Sequence, residues 1–377
     1  MKNNKRNVLL LGLVSLFNDF GSEMIFSILP FFLISLGETG IIIGLIGGLR
    51  DGIASILKFV FGYLSDKKNK RKVFVISGYF TSSISKILLS LSTLWTHILV
   101  FTSLDRIGKG MRDSPRDVII SESMKKHRGE GFGIQRALDT LGAVLGSFSV
   151  LLLIWYLNLS FKKIIFLAGL ISLLSLLPLI FVKDIKTKKK LNFSIKNIYL
   201  SKKIKKFFII SSIFALANFS YMFFVLKAKV SFPGKYEIVI PIILYIVFNV
   251  IYSLFALPFG KLADKLGKTK IISLGYLLFF IVNIGFLFLT SVYHYIFLFI
   301  LYGLVFAIIQ GNQFAYVLEL ADKKSKGTTI GLFHSIIGIT AIISGLITGL
   351  LWDYSRNSIF IFSAVLSLIS FTMILKK

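Results

Sequence analysis

Gly62-Tyr63-Leu64-Ser65-Asp66-Lys67-Lys68-Asn69-Lys70-Arg71-Lys72 and Gly260-Lys261-Leu262-Ala263-Asp264-Lys265-Leu266-Gly267-Lys268-Thr269-Lys270 are one motif written twice, 198 residues apart. Each copy closes one long apolar run and opens the next. Asn69 stands where the second copy has Gly267, a swap that a left-handed turn tolerates. Further positions pair near the same offset: Asn18 with Asn218, Asp51 with Asn249, His97 with His294, Lys109-Gly110 with Gln310-Gly311, and Asp117 with Glu319. Correspondences of this kind in register predict a chain made of two copies of one structural unit. The Lys-rich segment 183–206 lies between them, so the expected organisation is residues 1–182, a solvated linker 183–206, and residues 207–377.

The apolar runs decide what those units are. Of 377 residues 55% are hydrophobic and 16% charged, and mean hydropathy is +0.81. A soluble core cannot hide that much apolar surface, whereas a bilayer accepts it on the outside of a helix bundle. Stretches of about 20 apolar residues suffice to cross about 30 Å of hydrocarbon. Twelve are found, at approximately 8–36, 39–64, 73–94, 97–116, 131–157, 161–182, 207–229, 237–262, 271–290, 294–318, 328–351 and 358–375. The first follows Lys2, Lys5 and Arg6 as a signal peptide would, but it is too long and carries Asp19 and Glu23, so it reads as a retained helix. The fold class expected is an all-α polytopic membrane protein of twelve transmembrane helices in two pseudo-symmetric six-helix bundles.

The formal charge of +27 sits in short runs between spans. With alternating helices one face collects 29 basic residues and the other six. The positive-inside rule then puts both termini and the middle linker in the cytoplasm of a cell-membrane protein, and nucleic-acid binding is not expected. Part of the linker, near Ile195 to Leu200, has the pattern of an amphipathic surface helix. Without Cys there is no thiol chemistry, and no phosphate loop, zinc pattern or nucleophile triad is found. No enzyme activity, cofactor or metal is therefore expected, and any transport must draw on a gradient.

Charges inside the spans need a reason, because each costs about 2.5–3.5 kcal/mol at a helix centre even on a lenient scale. Asp19 and Glu23 share one face of the first span, where closeness and burial favour a proton carrier or substrate contact, with pairing to Arg or Lys on neighbouring helices that only locks packing as the alternative. The second span carries Arg50 and Asp51, with Lys58 two turns on; the third carries Lys86. In the fourth, Asp105, Lys109, Arg112 and Arg116 form one stripe beside Arg106, Gly110, Asp113 and Asp117. Pro115 is expected to end or kink that helix. Arg106 is a candidate for holding a substrate anion or a nearby acid, with ion pairing to Asp105 or Asp19 as the alternative. Arg136 and Asp139 share a face of the fifth span with Gly142, and nearly with Gly146, where small residues allow close packing. The second half offers neutral groups instead: Asn218, Tyr221, Asn249, Gln310, Asn312 and Gln313. His334 is a further proton-carrying candidate, or a packed histidine.

The paired Gly-x-Leu-x-Asp loops resemble the signature of the major facilitator superfamily of secondary transporters, G-x-L-a-D-r-x-G-r-k between spans two and three with a weaker copy between eight and nine. Arg106-x-x-Lys109-Gly110 is similar to the family's fourth-span R-x-x-Q-G pattern. Gly133, Gly142 and Gly146 are similar to the fifth-span motif of the drug/proton antiporter branch, which continues with Pro where this chain has Ser147. The resemblance covers essentially the whole chain and extends to an uncharacterised prokaryotic branch. It implies a monomeric transporter of a small solute working by alternating access, coupled to protons through Asp19 or Glu23; drug or metabolite efflux, or a sensing or lipid-moving role, are the alternatives. It also implies a cytoplasmic gate made of Gly62, Asp66, Lys70 and Asp117 in one half and Gly260, Asp264, Lys268 and Glu319 in the other. There the two Asp carboxylates cap helices starting near Thr328 and Gly131, while Lys70 and Lys268 pair with Asp117 and Glu319; a plain positive-inside turn is the alternative.

The charge asymmetry predicts that reporter fusions after Lys190 and Lys377 are active in the cytoplasm and one after Gly234 outside. A fusion at Lys190 active on the outer side would overturn the orientation.

Overall fold

The computed structural model describes residues 2–68, 70–125, 127–185, 200–322 and 326–376, so most of the Lys-rich linker, including the proposed surface helix, lies outside the described residues. The described chain is helical: α1 (Lys2–Ser35), α2 (Gly40–Lys68), α3 (Arg71–Leu89), α4 (Trp95–Ser123), α5 (Arg128–Trp155), α6 (Phe161–Leu173), α7 (Leu176–Phe181), α8 (Lys202–Ala217), α9 (Tyr221–Ser231), α10 (Val239–Leu266), α11 (Lys268–Phe288), α12 (Val292–Leu320), α13 (Lys326–Tyr354) and α14 (Ser358–Leu375). Among the described residues, eleven segments are long and apolar enough to cross a membrane. The twelfth span is α4, which has the length but carries the charged stripes.

Two spans are interrupted where the sequence reading has them continuous. The sixth breaks between α6 and α7, and the seventh between α8 and α9. At the second break the chain leaves the helix at Asn218, and the Ser220 hydroxyl accepts from the Met222 N–H to start α9. Such a cap satisfies one of the N–H groups a helix start leaves open. Pro115 does not end α4, which runs through it to Ser123. One backbone hydrogen bond is lost there, and burial of the ring among neighbouring helices holds the helix together. The turn from α10 to α11 takes a single residue, Gly267, at φ 97°, which is the left-handed geometry the repeat motif requires.

The chain divides into two compact units, Met1–Gly37 with Ile53–Phe193, and Glu38–Gly52 with Ser194–Lys377. In the first, α1 packs on α5 and α6, and α3 on α4 and α6. Its apolar core joins Val8, Leu11 and Val14 of α1 to Val75 and Tyr79 of α3 and Ile119 and Ile120 of α4. In the second, α10 packs on α12, and α11 on α12 and α14. Its centre is aromatic: Phe224, Phe248 and Tyr302 stack with ring centroids 4.4–4.7 Å apart, and Phe286 lies parallel to Phe360 at 5.3 Å.

The start of α2 belongs to the second unit because glycines bring it against α13. A Cβ on Gly44 would overlap the Gly345 carbonyl, and one on Gly345 the Gly44 carbonyl; Gly40 and Gly349 meet in the same way. Past this seam, the Asp353 carboxylate accepts from the N–H groups of Gly40 (2.6 Å) and Ile41 (3.0 Å), capping α2. Gly44→Leu or Gly345→Leu is expected to cost about 1–3 kcal/mol by overpacking. Gly311→Ala, where a Cβ would meet nothing within 4 Å, should leave the melting temperature unchanged or raise it. Melting curves of the purified variants check both.

Candidate functional site

The first unit holds a charge network at the level of Asp105, which is 6% exposed. Asp105 accepts from Arg106 Nε (2.9 Å) and Nη2 (2.5 Å) and from the Ser82 hydroxyl, and lies 3.3 Å from Lys86 Nζ. Lys86, 2% exposed, also donates to Asn18 Oδ1 (3.1 Å) and Ser82 Oγ (2.9 Å). The Arg106 guanidinium lies 4.8 Å from the centre of the Phe26 ring. Helices α1, α3 and α4 are thus tied by one carboxylate serving two cations. Arg106 is an ion-pair partner of Asp105, the alternative weighed from sequence. Lys86, Asn18 and Ser82 complete the network although they were not among the expected site residues; the available signal was a Lys inside an apolar span.

Toward the Ser123 end of α4 a second set forms. Lys58 lies 2.9 Å from Asp113, and Arg116 pairs with Asp117 (3.0 Å) and Asp113 (3.7 Å). Arg116 also donates to Ser15 Oγ and Tyr79 OH, both at 3.4 Å, which fixes the register of α4 on α1. Arg112 is 3% exposed, with its guanidinium 4.4 Å from the centre of the Tyr79 ring. Its Nε and Nη1 are buried with no hydrogen-bond partner among the described residues.

Asp19 accepts from Asn18 Nδ2 (3.0 Å), and its carboxyl is in hydrogen-bonding contact with that of Asp139 on α5. Glycines cause the approach: a Cβ on Gly142 would overlap the carbonyl of Leu16, and one on Gly146 that of Phe20. Asp139 is also 3.1 Å from Arg136 and 3.4 Å from Gln135 Nε2. Glu23 lies half-buried one turn further along α1.

In the second unit Arg50 Nε donates to Asp51 (3.0 Å), and its guanidinium is 4.6 Å from the centre of the Tyr221 ring. Tyr221 leads to Tyr245 at 4.8 Å. The Tyr302 hydroxyl, within electrostatic reach of Arg50 and Asp51, and the Asn218 Oδ1 are buried without a hydrogen-bond partner among the described residues. Asn249 is half-buried on α10, and Gln310 is exposed on α12. Asn312 donates to the Ile308 carbonyl (2.8 Å) and Gln313 to Tyr276 OH (2.9 Å), so both serve packing. His334 stacks on Phe314 at 4.2 Å.

The gating residues are only partly arranged as expected. Lys268 bridges Asp264 and Glu319, each at 3.0 Å, which gives the predicted pair in the second copy. In the first copy Asp66 is 2.7 Å from Arg71, and Asp117 takes Arg116. Lys70 is exposed at the start of α3 and does not pair with Asp117. The adjacent buried Arg71 engages the motif's own carboxylate, its fork reaching both Asp66 and the Ile185 carbonyl (2.8 Å). Gly62 faces Ser114, while Gly260 has open space.

The profile of the Major Facilitator Superfamily matches residues 11–243 and 242–377. An uncharacterised MFS-type transporter of Methanocaldococcus jannaschii is 47% identical over 375 residues, 98% of this chain and 94% of that protein. Among solved structures, the nucleoside transporter NupG has TM-score 0.80 at 15% identity, over 98% of this chain and 100% of that one. A POT family transporter in complex with 5-aminolevulinic acid has TM-score 0.78 at 14% identity, over 98% and 95%. At such identities these two likenesses concern the fold.

Asp105→Asn strips two buried cations of their carboxylate, and breaking a buried pair costs about 3–5 kcal/mol. It should sharply lower the melting temperature. Glu237→Gln, whose side chain is 43% exposed beside Lys229, should leave it nearly unchanged. Equal melting temperatures would contradict the network's structural weight.

Proposed function

The chain belongs to the major facilitator superfamily, whose members are multi-pass membrane transporters, and on that premise we propose that it moves a small solute across the cell membrane by proton-coupled alternating access. One observation carries this reading: acids and bases are concentrated in the spans of the first half, with neutral residues at the matching positions of the second. Asn249 stands for Asp51, Ala307 for Arg106, and Ser220 or Tyr221 near the place of Glu23. A neutral polar residue suffices for packing, so charges kept in one half indicate that protonation and ion pairing are the work done there. Asp19 and Glu23 are the proton-carrying candidates, with Asp139, Arg136 and Lys109 around them. Asp105 and Arg106 hold the helices that carry them. Arg50, Asp51, Asn218, Asn249 and Gln310 contribute to solute binding, with Tyr221 and Tyr245 as aromatic walls.

In this reading residues 1–182 and 207–377 are the working halves, joined by 183–206, both termini are cytoplasmic, and the transporter acts as a monomer. The duplicated loops form the cytoplasmic gate, through Gly62, Asp66 with Arg71, and Asp117 with Arg116 in the first copy, and through Gly260, Asp264, Lys268 and Glu319 in the second. The likeness to proteins named for nucleosides and for 5-aminolevulinic acid supports small polar solutes as the first to screen. A thermal-shift screen finds the substrate, since a ligand at 100 times its Kd adds about 2.7 kcal/mol. With it in hand, Asp19→Asn or Glu23→Gln should abolish accumulation driven by a pH gradient and leave substrate exchange largely intact. Asn218→Ala should weaken apparent affinity without removing pH dependence. Accumulation by both carboxylate variants would overturn proton coupling through these residues.

A further inference from the structure

Among the described residues of the first unit, Asp19 and Arg112 are not engaged in the ion pairs that tie its helices. Asp105 and Asp113 both have basic partners. Asp19 is in contact instead with Asn18 and with a second acid, Asp139. Arg112 is buried, has two guanidinium nitrogens without acceptors among the described residues, and forms no ion pair among them. The register set by Arg116 on Ser15 places these two at the same level, because Arg112 and Asp19 lie one turn further along their helices in the same direction. Asp19 is within electrostatic reach of Lys109 and of Arg112.

The chemistry of the two contacts differs. Two carboxyl groups hold each other by a hydrogen bond only when a proton lies between them; without it they repel. A carboxylate facing a guanidinium needs no proton. We propose that Asp19 alternates between two partners, sharing a proton with Asp139 and, when that proton leaves, turning to the guanidinium of Arg112. This rests on the proton-coupled reading above and specifies where the proton sits and which cation replaces it.

The surroundings suit such an exchange. Glu23 is on α1, Lys109 and Arg116 join Arg112 on α4, and Arg136 is on α5. On α3, Tyr79 lies beneath Arg112, and Lys86 is engaged by Asp105. Helix α6 presents Ala168 and Ser172 to α1 at Gly21, and α7 contains no titratable residue. Four bases therefore surround Asp19, Asp139 and Glu23, so a departing proton leaves no isolated negative charge. The glycine contacts of α5 on α1 keep Asp139 in place beside Asp19.

The test needs no substrate. Infrared difference spectra of the purified protein in lipid nanodiscs, recorded between acidic and alkaline buffer, report the C=O stretch of a protonated carboxyl. The wild type should show a titrating band, shifted in heavy water, that is missing from Asp19→Asn and from Asp139→Asn alike. Arg112→Gln should keep the band to a pH higher by about one unit, a tenfold change in proton affinity, and Arg112→Lys should restore the wild-type midpoint, which a purely structural role would not do. A band in Asp139→Asn identical to wild type, or an unmoved midpoint in Arg112→Gln, would overturn the proposal. An intact band in a protein that shows no pH-driven uptake would reject proton coupling while supporting the pair. Loss of uptake in Asp19→Asn, with the band unaltered in Asp139→Asn, would reject the pair and keep the coupling.

Discussion

The first unit depends on one buried carboxylate. Asp105 stands between Lys86 and Arg106 in a place with almost no access to water, and there a charge is tolerable only if paired and hydrogen-bonded. That requirement fixes α3 against α4 and, through Asn18, α1 against both. Once these helices are fixed, Arg116 meets Ser15, Arg112 covers Tyr79, and Asp19 is held at the level of Asp139. The network is a scaffold, and the groups left over from it are those with freedom to do chemistry.

The second unit solves packing by other means. Rings from α9 to α12 and α14 fill its centre edge to face and in offset stacks, arrangements worth about 0.5–1.5 kcal/mol per pair beyond burial. Such a core needs no charge, so the Arg50–Asp51 pair is conspicuous there: it arrives on the start of α2, held by the glycine seam and the Asp353 cap. The two Gly-x-Leu-x-Asp turns thus lie in units of different chemistry.

Much of the fold was legible in the sequence because hydrocarbon thickness imposes a length on each span and the repeat imposes a count. The boundaries of α2, α10 and α14 fall within a few residues of their apolar runs. The breaks at Leu174 and Asn218 were not legible, since nothing in composition distinguishes a helix that pauses within protein from one that continues. That α4 would continue past Pro115 was not legible for a related reason: a single lost hydrogen bond ends a solvated helix more readily than a packed one. Of the candidate site, the charged positions were visible but not their partners. The Lys268–Glu319 pair followed from the repeat, whereas Asp19 with Asp139 required knowing how closely Gly142 and Gly146 let two helices approach. The Asp353 cap joins residues more than 300 positions apart and left no local pattern to read.

The central claim is that acids of the first unit bind the coupling proton. The most direct measurement is charge movement on a solid-supported membrane after a pH step, without substrate. The account predicts a transient displacement in wild-type proteoliposomes, of the polarity of proton entry, that is suppressed in Asp19→Asn. No displacement in the wild type, or an equal one in the variant, would contradict it.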